Sequence, residues 1–190
     1  ISESVGGIFG QFRNSFNHGE KPVYTDFHIS DSNINSNGRY VGGISGLGDG
    51  SYCSINNVNV TGGNYVGGFA GYQRGTYQYG NTIKDSEISG LDYYIGGLYG
   101  NAGYVYDSFA ENIKVYGLNV NTYGVGGISG YNGVVQRCGV IDSVISNAGE
   151  RTGGITGYTS GHHVYHSFIR NSTVTSYDKA GGIVGQVHSG

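Results

Sequence analysis

Tryptophan and methionine are absent, and proline occurs once in 190 residues. Charge is scarce too: 10 Lys+Arg against 13 Asp+Glu leave a net charge of -3. A chain this poor in cations has no basic stripe to track phosphates, which argues against nucleic acid as a partner. Long apolar runs are missing, so the sequence offers no helix able to span a membrane. Helical patterning is missing as well. Glycine interrupts most windows, and no apolar stripe of helical period lasts three turns. No signal-peptide pattern opens the chain, and Ile1 lies almost inside a repeat; the expectation is a piece of a longer protein. Cysteine is limited to Cys53 and Cys138.

Glycine is abundant, 38 of 190 residues, about three times ordinary usage. It lacks the three-residue period of collagen. It recurs instead in a short stretch written seven times: VGGIFG from Val5, VGGISG from Val41, VGGFAG from Val66, IGGLYG from Ile95, VGGISG from Val125, TGGITG from Thr152 and AGGIVG from Ala180. First glycines are 36, 25, 29, 30, 27 and 28 residues apart. A period of this size marks one supersecondary unit per repeat and a stacked, quasi-one-dimensional protein. The longest step is assigned to an insertion around Asn14–Val23.

A second motif aligns inside each repeat, best seen in VYDSFAENIKV from Val105, VQRCGVIDSVI from Val135 and VYHSFIRNSTV from Val164. Its sixth position holds Ile29, Ile55, Ile83, Ala110, Val140 and Ile169. Its last holds Ile34, Val60, Ile88, Val115, Ile145 and Val174. Both columns are apolar in every copy, yet they are five residues apart. An odd separation puts side chains on opposite faces of a straight strand, so the chain must bend between them. The eighth position supplies the bend: Asp31, Asn57, Asp85, Asn112, Asp142 and Asn171 form a structural corner ladder, because Asp and Asn tolerate the left-handed region. By the same reasoning the Gly-Gly pair is a kink or bulge that lets Val41 and Ile44 both face inward. Each repeat then holds about three short strands. Equivalent strands pair in parallel, giving an all-β, right-handed parallel β-helix (β-solenoid) of about six coils. Residues 1–190 form a single repeat domain with 25–30 residues per coil. At about 4.8 Å per coil the rod is about 30 Å long.

VGGISGYNGVVQRCGVIDSVIS and IGGLYGNAGYVYDSFAENIKVYG resemble the GLUG repeat family: Gly-Gly, two hydrophobic residues, Gly, a polar turn, then an apolar-x-polar-Ser-aromatic stretch ending in a valine strand. The resemblance covers nearly the whole chain and is weakest in the first two units. It implies an extracellular module of the kind found in large bacterial adhesin-like proteins and in the stalks of immunoglobulin A peptidases. It carries no catalytic residue onto this sequence.

Candidate chemistry is sparse. Asp31, Asp85 and Asp142 lie two coils apart, about 9–10 Å, close to the spacing of an inverting glycosidase pair. Asparagine fills the intervening coils in the same role, so the corner ladder explains the column better. His162, His163 and His166 cluster without a carboxylate or cysteine at metal-ligand spacing. They read as a solvated group, and His166 shares a solvent column with Asp26, Tyr52, Gly80, Asp107 and Arg137. The cysteines are three coils apart, about 14 Å, too far for a disulfide, and read as buried turn-filling thiols. Ice binding needs a regular outward threonine ladder, but the column Phe9, Ser45, Ala70, Tyr99, Ser129, Thr156, Val184 is irregular. The glycine stretch is no phosphate cradle, since no helix follows it. Tyrosine is the exception to this plainness, with 18 copies. Tyr72, Tyr77, Tyr79, Tyr131 and Tyr158 form the expected contact surface, since tyrosines with little surrounding charge suit protein or carbohydrate contact.

The sequence therefore reads as a non-enzymatic, extracellular, structural or adhesive solenoid of a cell-surface or filament-forming protein. It is expected to need no cofactor or metal. Its expected partners are protein or glycan ligands at a cell surface, and copies of itself stacked end to end. Two other readings stand beside this one: a carbohydrate-binding or polysaccharide-degrading β-helix domain, and the non-catalytic stalk of a secreted peptidase.

Overall fold

Short runs rich in Val, Ile, Tyr and Thr suit a pleated surface, and between the glycines they form strands of two to nine residues. The computed structural model describes residues 4–11, 25–73, 75, 77–131 and 133–188; the expected insertion around Asn14–Val23 lies outside them. Among the described residues there is no helix, and strand pairing is parallel, each strand on its equivalent in the next coil. The architecture is a β-solenoid of about six turns.

One coil shows the plan. Its strands are Tyr94–Gly96, Tyr99–Asn101, Tyr104–Tyr106, Phe109–Glu111 and Lys114–Gly117. The first two belong to separate seven-stranded sheets, the third to a four-stranded sheet, and the last two share a ten-stranded sheet. A coil thus holds five strands where three were expected. The glycine stretch is split between two sheets, because the chain turns back on itself within it.

This turn also changes the role of the glycines. Gly96 and Gly97 are not in the left-handed region. They are required because two backbones touch. A Cβ on Gly96 would crowd the Tyr99 carbonyl and lie 2.8 Å from Gly130 N. One on Gly100, across the turn, would lie 2.6 Å from Val66 N. One on Gly97 would strike the Gly127 carbonyl of the next coil and come within 2.6 Å of Ile113 Cδ1 in the core. The expected kink is therefore a site of close approach. Its consequence for the core stands: Val41 and Ile44 are both buried, as are Ile95 and Leu98.

Both aliphatic columns point inward. Ile55, Ile83, Ala110 and Val140 are buried in one, and Val60, Ile88, Val115 and Ile145 in the other. The column scanned for ice binding also faces inward. Ser45, Ala70, Tyr99, Ser129 and Thr156 are buried, so no hydroxyl ladder is offered to solvent there.

Candidate functional site

The corner ladder forms as its residue types dictate. Asp31, Asn57, Asp85, Asn112, Asp142 and Asn171 all have φ between 48° and 53°. The Asn57 amide donates to Asp31 Oδ1 at 2.7 Å, and the Asn112 amide to Asp85 Oδ1 at 2.6 Å. The amide of Asn57 holds the Asp31 carboxyl below its ordinary value. Two of the three carboxylates weighed as a catalytic set are thus engaged by the next coil.

A second corner was not expected. Asp26, Tyr52, Gly80, Asp107, Arg137 and His166 have φ from 46° to 68°. This is the column read as merely solvent-facing. Its signal lay in Asp26, Gly80, Asp107 and His166, since glycine, Asp and His are enriched at positive φ. Tyr52 and Arg137 hid it. Here Arg137 grips Asp107 of the preceding coil through Nε and Nη2, at 2.6 and 2.8 Å.

Several corners are followed by a small polar staple. Ser143 Oγ donates to the Ile141 carbonyl at 2.6 Å and accepts the N–H of Ile113, one coil back, at 3.1 Å. Ser86 repeats this with Lys84 (2.5 Å) and Val58 (3.0 Å). At the second corner Ser108 does so with Tyr106 (2.9 Å) and Asn81 (3.1 Å). A buried backbone N–H needs an acceptor, and at these corners a side chain supplies it. The cysteines hold equivalent posts. The thiols of Cys53 and Cys138 donate to the Ser51 and Gln136 carbonyls at 3.4 Å and receive N–H groups from Phe27 and Ser108. Both are free and buried, and burial pushes the Cys138 thiol up to about 12. They act as staples.

The histidines do not form one group. The His162 Nδ1–H donates to the Ser160 carbonyl at 2.8 Å, the His163 ring meets Tyr165 at 5.4 Å, and His166 serves the second corner. Among the described residues no cluster of His, Cys, Asp and Glu could hold a metal ion, and no helix is long and apolar enough to cross a membrane.

The tyrosines separate into two patches. The larger is a stripe running from coil to coil. Ring centroids are 5.3 Å apart for Tyr40–Tyr65, 5.6 Å for Tyr65–Tyr94, 4.5 Å for Tyr94–Tyr131 and 5.5 Å for Tyr131–Tyr158. Tyr72 joins it edge-on to Tyr40 and Tyr65, and Tyr93 and Tyr123 extend it outward. Arg39 lies over Tyr40 at 5.1 Å, and Arg151 over Tyr123 at 3.5 Å. Burial raises the phenols of Tyr65, Tyr94 and Tyr131 above their ordinary value, so these three rings stay protonated. Each ring contact adds about 0.5–1.5 kcal/mol beyond its buried area, which ties successive coils together. The smaller patch joins Tyr77, Tyr79, Tyr104 and Tyr106.

Of the expected contact residues, Tyr72, Tyr131 and Tyr158 thus meet on one stripe, while Tyr77 and Tyr79 lie on the other patch. Sequence reasoning missed Tyr40, Tyr65, Tyr123 and the arginines. A signal existed: tyrosine precedes the glycine stretch at Tyr40, Tyr65 and Tyr94, and follows it at Tyr72, Tyr131 and Tyr158. Pairing brings these two positions to one edge.

Two depressions lie beside these features. A groove of about 340 Å³ along the corner ladder is lined by Asn59, Asp85, Ser86, Glu87, Asn112 and Lys114. Its Asp85 is taken by Asn112, and Glu87 is paired in register with Lys114. A second, of about 230 Å³, has Tyr72 and Tyr104 among its walls. No protein-family model, curated protein or solved structure matches this chain.

Proposed function

We propose that this protein is a non-enzymatic structural and adhesive module, a rigid solenoid that works outside the cell as part of a cell-surface or filament-forming protein. The observation that carries this reading is the tyrosine stripe. It repeats with the coils and leaves Tyr93 and Tyr123 exposed at 52% and 36%. Amphipathic rings on a rigid scaffold give contact area at low entropic cost. The resemblance of the glycine repeats to the GLUG family supports the same location and role.

Attachment tests the proposal. Beads coated with the purified solenoid should adhere to bacterial or epithelial cell surfaces well above albumin-coated beads. Equal attachment of the two would refute the adhesive role.

A further inference from the structure

The second depression has a makeup that the stripe lacks. It opens where the two tyrosine patches approach each other, with Tyr72 from one and Tyr104 from the other. Tyr72 meets its neighbours Tyr40 and Tyr65 at 68° and 71°. Among the described residues no ring is stacked parallel on it. This separates it from Tyr94 and Tyr131, which lie on each other at 21°.

The floor is held in place by Gln73, which is buried. Its Oε1 accepts the N–H of Gly103 at 2.9 Å, and its Nε2 faces the Tyr104 carbonyl at 3.5 Å. The cavity is therefore pre-formed. Two polar groups on its lining are positioned to act. The half-buried Asn101 carboxamide has no hydrogen-bond partner among the described residues, and it offers both donors and an acceptor. The His162 ring donates through Nδ1 to the Ser160 carbonyl, which in the neutral ring leaves Nε2 as an acceptor. The described lining residues offer amide, phenol and imidazole groups. A volume of about 230 Å³ equals roughly eight water molecules, room for one sugar ring.

The geometry points to a binding site for one pyranose unit, the terminal residue of a glycan, between Tyr72 and Tyr104. The rings supply apolar walls for the C–H face of the sugar. Asn101 and His162 Nε2 reach adjacent hydroxyls, the donor-and-acceptor pairing that a vicinal diol satisfies. This inference rests on the adhesive reading and gives it a ligand class.

The test is an NMR titration of the purified protein with the methyl glycosides of glucose, galactose, mannose and N-acetylglucosamine. A single ring in so small a site binds with Kd on the order of millimolar. At least one glycoside should shift the amide signals of Asn101, Gly103, Tyr104 and His162. Asn101→Ala should weaken that binding about tenfold with the spectrum otherwise preserved. Should Asn101→Ala unfold, His162→Gln, in a loop, replaces it and should weaken binding at least threefold. No shift with any of the four sugars overturns the site, as do shifts confined to the stripe or unchanged affinity in the folded variants. Failure here with bead attachment intact removes the sugar site alone; loss of attachment removes the adhesive reading.

Discussion

Replacing Ser143 by alanine should unpin one corner of the solenoid. Ser143 is 2% exposed, and Ile113, whose N–H it accepts, is 1% exposed. Water cannot readily replace the lost oxygen. Leaving that donor unmet costs about 1–3 kcal/mol, and loss of the bond to Ile141 adds about 0.5–1.5 kcal/mol. The sum is about 1.5–4.5 kcal/mol, placed locally at two adjacent coils. Ser172→Ala is the control. Ser172 makes the same two bonds, to Arg170 and to the N–H of Ser143, but it is half-buried, where water can substitute for them. Its loss should cost under about 1 kcal/mol. Native-state hydrogen exchange suits a stacked protein, since opening there is local. The Ile113 amide should exchange at least tenfold faster in Ser143→Ala and little changed in Ser172→Ala. Equal, small effects in both variants would refute the staple argument.

Gly97→Ala should destabilise the protein by about 3 kcal/mol or more, seen as a lower urea midpoint, because the added methyl meets backbone of the next coil and cannot move away. Cys138 should resist a thiol reagent at pH 8 while the protein is folded and react fully in denaturant, since burial lifts its thiol to about 12. Asp107 is held below its ordinary value by the hydrogen bonds from Arg137. Its contribution to stability is therefore present above the unfolded carboxyl value and lost as pH falls through the lower folded value. Arg137→Gln should return the Asp107 titration, followed by carboxyl NMR, to about 3.9.

Much of the fold was legible because it is written in residue types with strong backbone or burial preferences. The Asx corner followed from Asp and Asn at a fixed position, and the core columns followed from aliphatics five residues apart. The second corner was hidden because Tyr52 and Arg137 carry no preference for the left-handed region. The glycine stretch showed its period plainly, but the sequence does not reveal whether a glycine serves a turn or a contact; only the opposed backbone at Gly96 and Gly100 decides that. The stripe was half visible. Tyr72, Tyr131 and Tyr158 stood out as rings with little charge around them, whereas Tyr40 and Tyr65 joined them only through pairing between coils. The Asn101 pocket had no sequence signal, since it arises from loops of different length meeting in space.

The central claim is that the tyrosine stripe is the contact face. Its most direct test is bead attachment with Tyr93→Ser/Tyr123→Ser, which removes the two exposed rings and leaves Tyr94, Tyr131 and Tyr158 stacked. Circular dichroism should show an unchanged β spectrum, and attachment should fall at least fivefold from wild type. Undiminished attachment by this folded variant would contradict the assignment of the stripe as the adhesive face.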